Sequence, residues 1–434
     1  MLSIAVGEGP VSRPGPQSHR ARPMVVIPSQ MRGLNRRTLF QQLQRVGVAS
    51  RADLARSLGM SAPTAGKIVE ELLELGVLEE VPLPRRSAGA VSGRLGRPGR
   101  LVQADRRHPR FLGIELGVTQ TRFAALPVGV DGDDAWTVQV PTGGSAEAWR
   151  GGLREAAARL AACAWWGVLV SVPGIVDEPA GRILFSPNLH WTEGIDLREV
   201  IGEVWRAPVE LVQEERALAL GHHLAEPEEE DLLLVDFGEG VGGAMLQGGR
   251  VPRGASPVSG ELGHTPIPGN TRRCGCGGVG CIETLVSRNG LIESHRAERT
   301  RWGEDWDGLQ AAVAEGGIPG WLAQAMDSMG SIIAGALNVL GLNRLVVTGH
   351  LSDLPPVVVE HLSRAVQRGT LWGRFGEVTC RAAVRRRAAG LVAMGIDRLI
   401  LPVETEGRAG RFGSAGARLW RRSEENVVKN STDR

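Results

Sequence analysis

Between Glu261 and Glu283 the chain reads ELGHTPIPGNTRRCGCGGVGCIE, which puts Cys274, Cys276 and Cys281, three of its five cysteines, in one loop with His264. Thiolates and an imidazole are the ligands a tetrahedral zinc ion takes. Gly275, Gly277, Gly278 and Gly280 let a short loop fold back to present them. The spacing predicts a closed, structural zinc site with ligands His264, Cys274, Cys276 and Cys281. Reduced thiols in a glycine-rich turn are the plainer alternative, but the other two cysteines, Cys163 and Cys380, stand apart in apolar surroundings. A disulfide fits poorly, because three clustered thiols leave one over.

The run Glu261, Gly263, His264 and then Cys-x-Cys-Gly-x-x-Gly-Cys-x-Glu from Cys274 to Glu283 resembles the signature of the ROK family, named for repressor, open reading frame and kinase. The resemblance implies that Glu261, His264 and Glu283 also line a sugar pocket, with the metal holding the loop that aims them. Carboxylates and an imidazole suit adjacent sugar hydroxyls, and a metal-fixed loop preorganises them. Pro173 to Asp177 and Phe185 to Trp191 match the family pattern that brings a sugar-binding asparagine, here Asn188, to the cleft. The fold implied is α/β: an N-terminal winged helix-turn-helix plus a two-lobed actin-like ATPase core.

Kinases of the family need a first loop carrying Asp, an Asn-Asp pair supplying the base, a Gly-Thr-Gly phosphate loop and a Gly-Gly beside adenosine. Here those places hold Glu115 and Val118, Gln213 and Glu214, Gly238-Glu239-Gly240, and Gly349-His350. Phosphoryl transfer depends on positioning and charge, so an anion at Glu239 and a lengthened base at Glu214 weigh against it. The sugar set implied is Asn188, Gln213, Glu214, Glu261, His264 and Glu283. No catalytic residue is assigned, Glu214 standing at a degenerate base position.

The elements that must position these residues follow from composition and periodicity. At 434 residues and 42% hydrophobic the chain has room for two or three domains. No stretch of about 18 apolar residues and no signal-like N-terminus occur, so a cytoplasmic protein without a membrane partner is expected. Net charge is only +2, but Arg85, Arg86, Arg94, Arg97, Arg100, Arg106, Arg107 and Arg110 crowd one segment against the single acid Asp105. The expected organisation is a disordered tail over 1–30, a DNA-binding winged helix-turn-helix over 31–84 and an Arg-rich wing or linker over 85–110. Lobe 1 then covers 111–231, lobe 2 with the zinc loop 232–385, a helix returning to lobe 1 386–405, and a disordered tail 406–434.

Leu39, Phe40, Leu43 and Val46 recur at helical spacing, Ser50 caps a second helix, and Ser61 caps a third with Pro63 in its first turn. Helix, tight turn at Gly59 and helix is the helix-turn-helix arrangement, whose second helix lies in the major groove. An ordinary helical subdomain is the rival reading. The expected contacts to DNA are Ser61, Ala62, Thr64, Ala65 and Lys67 at the start of the third helix, with Arg94 and Arg97 in the arm. The function expected is a sugar-responsive repressor that binds a palindromic operator as a homodimer or tetramer. A sugar kinase with an appended DNA-binding domain, and a regulator that binds no ligand, remain the alternatives.

Overall fold

A computed structural model describes residues 28–82, 100–132, 135–160, 163–178, 180–252, 258–299 and 301–402. The C-terminal tail, nearly all of the N-terminal one and most of the arginine-rich linker, with Arg94 and Arg97, lie outside the described residues.

Helix α1 (Pro28–Val46) starts earlier than the apolar pattern from Asn35 predicts. Strand β1 (Val48–Ser50), α2 (Arg51–Ser57) and α3 (Ala62–Glu74) follow. Ser50 closes a capping box with Asp53, and the Ser61 hydroxyl accepts from the Thr64 amide, so both predicted caps satisfy amides that a helix start leaves unpaired. Strand β2 (Leu78–Val81) was expected as the wing; its partner β3 (Leu101–Ala104) was not. It returns from the linker and lies between the other two, pairing Gln103 with Val48 and Ala104 with Leu78 in the order β1-β3-β2. The wing is therefore closed by residues of the segment read from sequence as an Arg-rich wing or linker.

Lobe 1 opens with the expected hairpin, β4 (Pro109–Leu116) and β5 (Gln120–Pro127), followed by β6 (Val138–Pro141) and α4 (Ala146–Arg159). Then come β7 (Gly167–Val172), the small ribbon β8 (Ile175–Asp177) and β9 (Arg182–Phe185), α5 (Leu197–Gly202), β10 (Val209–Gln213) and α6 (Glu214–Ala225). The sheet order is β10-β7-β4-β5-β6, parallel across its first three strands. Every residue of β7 is buried, as a strand covered on both faces requires.

Lobe 2 holds β11 (Leu232–Phe237), β12 (Val241–Leu246), α7 (Glu283–Val286), α8 (Arg288–Ala297), α9 (Trp306–Gly316) and α10 (Gly320–Leu340). It is completed by β13 (Arg344–Gly349), α11 (Val357–Gly369) and β14 (Thr379–Ala382), in sheet order β12-β11-β13-β14. Helix α12 (Arg387–Gly395) runs back onto lobe 1 and ends in a π-helical turn, Ile396–Ile400. Among the described residues no helix is long and apolar enough to cross a membrane.

Helices α12 and α6 meet backbone to backbone. A Cβ at Gly390 would stand 1.8 Å from the Ala217 carbonyl oxygen, and one at Gly221 would stand 1.9 Å from that of Arg386. Gly390→Ala is expected to cost about 2–3 kcal/mol by overpacking, read from a denaturant midpoint. A loss below about 0.5 kcal/mol would show that the helices separate freely.

The core of the winged helix is continuous with that of lobe 1. Leu39, Phe40 and Leu43 of α1 belong to one apolar cluster with Leu54, Val69 and Leu72 and with Phe111, Leu391, Ile396 and Leu401 of the lobe 1 side. Arg37 pairs with Asp397 and Arg45 with Glu230 at its margin.

Candidate functional site

His264 ends a 3-10 turn (Leu262–His264) and the three cysteines sit in the loop beyond it. Gly277 and Gly280 both take φ of 85°, a left-handed conformation that costs glycine little. The Cys274 amide donates to the Gly278 carbonyl at 2.9 Å, so the loop doubles back on itself. Cys276 Sγ lies 3.6 Å from Cys281 Sγ, and Cys274 Sγ 3.5 Å from His264 Nδ1. All four ligand atoms fall within 4.8 Å of one another. A tetrahedral ion with sulfur at about 2.3 Å sets neighbouring sulfurs about 3.8 Å apart, so this cluster could hold a metal with little movement. Burial pushes the Cys274 and Cys281 thiols up from their usual range, and a bound divalent cation would reverse that.

The loop opens onto a cleft of about 370 Å³ between the lobes, lined among others by Asn188, Glu214, Glu261, His264 and Glu283. Five of the six predicted sugar residues thus converge. Gln213 does not: its side chain is buried at the end of β10 and its amide donates to Glu178 Oε1 at 3.2 Å. The strand-to-helix junction turns successive side chains to different faces, which removes Gln213 from the cleft and leaves Glu214 in it.

The Val241 amide donates to Glu283 Oε2 at 2.8 Å. His264 uses both ring edges, Nδ1 toward the thiols and Nε2 3.7 Å from Glu261 Oε2. Burial, aided by the Glu283 charge, pushes the Glu261 carboxyl up to about 7. Gly275 packs against the Pro187 carbonyl, where a Cβ would lie 2.6 Å away, so the lobe 2 loop closes directly on the turn that carries Asn188.

On the opposite side of the cleft the carboxylates are occupied by arginines. Arg387, fully buried, pairs with Glu214 and, at 3.0 Å, with Glu115. Arg122 donates to Glu115 at 2.6 Å. Arg385 forks onto Asp236 at 2.8 and 2.7 Å, and the Thr348 hydroxyl donates to the same carboxylate at 2.7 Å. A Cβ at Gly238 or Gly349 would meet the Arg385 guanidinium at 2.9 or 2.6 Å, so this side chain lies against both loops that the resemblance assigns to ATP. Sequence reasoning missed Arg385, Arg387, Asp236 and the neighbouring Glu215; three consecutive arginines before an apolar helix were the available signal.

At the start of α3, Ser61, Ala62, Thr64 and Lys67 are exposed together. Ala65 is not with them. It is 0% exposed and packs in the core of the winged helix, because it lies on the same face of α3 as Ile68, Val69 and Leu72.

A winged helix mounted on two α/β lobes that face each other across a polar cleft is the architecture of a regulator built on an actin-like sugar-kinase core. The chain belongs to the ROK family, whose model matches residues 111–396. It is 22% identical over 406 residues to the xylose repressor of Caldicellulosiruptor bescii, across 85% of this chain and 97% of that one. Over 366 residues it is 24% identical to the DNA-binding transcriptional dual regulator NagC of Escherichia coli K12, across 78% and 86%. Among solved structures, a ROK family transcriptional regulator described as a homologue of E. coli MLC aligns with a TM-score of 0.66 at 20% identity, covering 86% of this chain and 98% of that one. A ROK glucokinase from Streptomyces griseus, in complex with glucose and AMPPNP, aligns at 0.56 and 21%, covering 66% and 97%. At these identities the solved structures speak for the fold alone.

Proposed function

We propose that this chain is a sugar-responsive transcriptional repressor. The winged helix binds operator DNA, the cleft binds a sugar or sugar derivative, and the protein works as a symmetric homodimer or tetramer on a palindromic site. The observation that carries this reading is the division of the cleft. Asn188, Glu261, His264 and Glu283 converge beside the metal loop, whereas Glu115, Glu214 and Asp236 across the cleft are held by Arg387 and Arg385. A base already bound to a buried guanidinium is poorly placed to accept a hydroxyl proton, and Arg385 lies where nucleotide phosphates would be cradled. The names of the relatives, a xylose repressor and a DNA-binding transcriptional dual regulator, support the same reading.

Zinc is the metal that a three-thiolate, one-imidazole set favours, held by His264, Cys274, Cys276 and Cys281. Its contribution is to fix the loop that carries His264 and adjoins Glu261 and Glu283. Sugar binding selects one separation of the lobes and so alters how two recognition helices match half-sites about 34 Å apart.

Fluorescence anisotropy with operator DNA and a panel of sugars tests this. Lys67→Ala is expected to weaken DNA binding about tenfold whatever the base sequence and to lower the salt slope by about one. Arg97→Ala should act in the same direction. At least one sugar should shift the affinity. ATP-dependent phosphorylation of a hexose or N-acetylhexosamine, with DNA binding insensitive to every sugar, would replace this reading by the kinase one.

A further inference from the structure

The cleft is unbalanced in charge. Glu215, Glu239, Glu261 and Glu283 line it, and among the described residues none of the four is paired with an arginine or lysine. The two arginines that line it are spoken for: Arg122 lies on Glu115 at 2.6 Å and Arg385 on Asp236 at 2.7 Å. His350 adds no charge at neutral pH, since burial and then the Arg385 charge hold it below its usual range. A zinc ion bound by three thiolates would leave its own cluster negative as well.

Glu215 has a particular position in this field. It stands in the first turn of α6, and its Oε1 lies 2.3 Å from where a Cβ on Gly242 would be, so the carboxyl reaches from lobe 1 to the backbone of β12 in lobe 2. Its Oε2 is shut off from solvent and has no hydrogen-bond partner. Such an atom costs about 1–3 kcal/mol unless something supplies the missing bond, and the cleft it lines is where a ligand would do so. Burial, followed by the charges of Glu214 and Glu261, pushes this carboxyl well above the ordinary 4.5, towards the protonated form that offers both an O–H donor and a carbonyl acceptor. That pairing of donor and acceptor is what vicinal hydroxyls accept.

We propose that Glu215 binds the effector directly, and that the cleft takes an uncharged or amine-bearing sugar while rejecting phosphorylated and carboxylated ones. The inference rests on the sugar-binding reading above. Its physical basis is that, among the described residues, the cleft offers no uncommitted cation to receive an anionic substituent, while the Glu239 and Glu283 carboxyls face it. Glu215 is the group whose loss the neutral ligand should feel.

Calorimetry on the full metal-loaded chain decides this, using D-xylose, D-glucose, N-acetylglucosamine and glucosamine beside glucose 6-phosphate, N-acetylglucosamine 6-phosphate and glucuronate. A neutral or amino sugar is expected to bind, with its phosphorylated or carboxylated counterpart at least about tenfold weaker. Glu215→Gln, still neutral with a donor and an acceptor, should stay within about threefold for the neutral sugar. Glu215→Leu should lose about tenfold or more while its melting temperature is kept or raised, because it removes an unpartnered buried atom. A phosphorylated sugar binding as well as or better than its parent, or Glu215→Leu keeping full affinity, overturns this inference and leaves the sugar reading intact. Failure of every sugar to bind removes both.

Discussion

Replacing Arg387 with alanine is expected to lower the stability of the protein by about 3–5 kcal/mol, the range seen when one partner of a buried ion pair is removed. The side chain is 0% exposed and serves Glu115 of β4 and Glu214 of α6 together, so its loss leaves Glu214 without its arginine and Glu115 with Arg122 alone. Denaturant unfolding at neutral pH measures the difference. The triple change Arg387→Met, Glu115→Gln and Glu214→Gln should recover most of it, because what hurts in the single variant is the unpaired charge. A loss under about 1 kcal/mol for Arg387→Ala would mean that the carboxylates find other partners or solvent. If stability falls as expected and the triple variant recovers it, the arginine is structural cement between the two carboxylates.

Cys276→Ser carries the second large effect. The metal content should fall from about one ion per chain to a small fraction, and the sugar response should vanish with it, since Glu261, His264 and Glu283 are aimed by the loop the ion fixes. Structural zinc binds with about 10–16 kcal/mol; losing even a third of that corresponds to roughly 10 °C in the melting temperature of a domain this size. DNA binding without sugar should survive, because Leu39, Phe40 and Leu43 pack with lobe 1 and not with the metal loop. Elemental analysis, differential scanning fluorimetry and the anisotropy titration read the three consequences separately. A variant that keeps its sugar response after losing the ion would sink the supporting role given to the metal.

The His264, Cys274, Cys276 and Cys281 cluster, which could hold a metal, was legible because all four residues lie in one short segment, where residue type alone carries the signal. The same holds for the caps Ser50 and Ser61, whose partners are three residues away. What escaped depended on distant pairing. Strand β3 is only four residues long and acquires its identity from Val48 and Leu78, far earlier in the chain. Arg387 meets Glu115 and Glu214 across more than 170 residues, and nothing local marks an arginine as buried. Ala65 failed for a different reason: alanine suits a DNA-facing surface and a tight helix contact equally, and only the register of α3 decides. Gln213 was carried in by a motif, and the turn at the end of β10 took it out.

The absence of a seam between α1 and lobe 1 fixes which part of the molecule counts as stationary. The cluster that joins them includes no residue of lobe 2, so lobe 1 and the helix start at Ser61 pack as one unit, and in the mechanism proposed above lobe 2 is the part that would move. In a homodimer or tetramer of the kind proposed, a signal from the cleft would then leave through whatever lobe 2 touches in a neighbouring subunit, which would make the assembly, and not the single chain, the receiver.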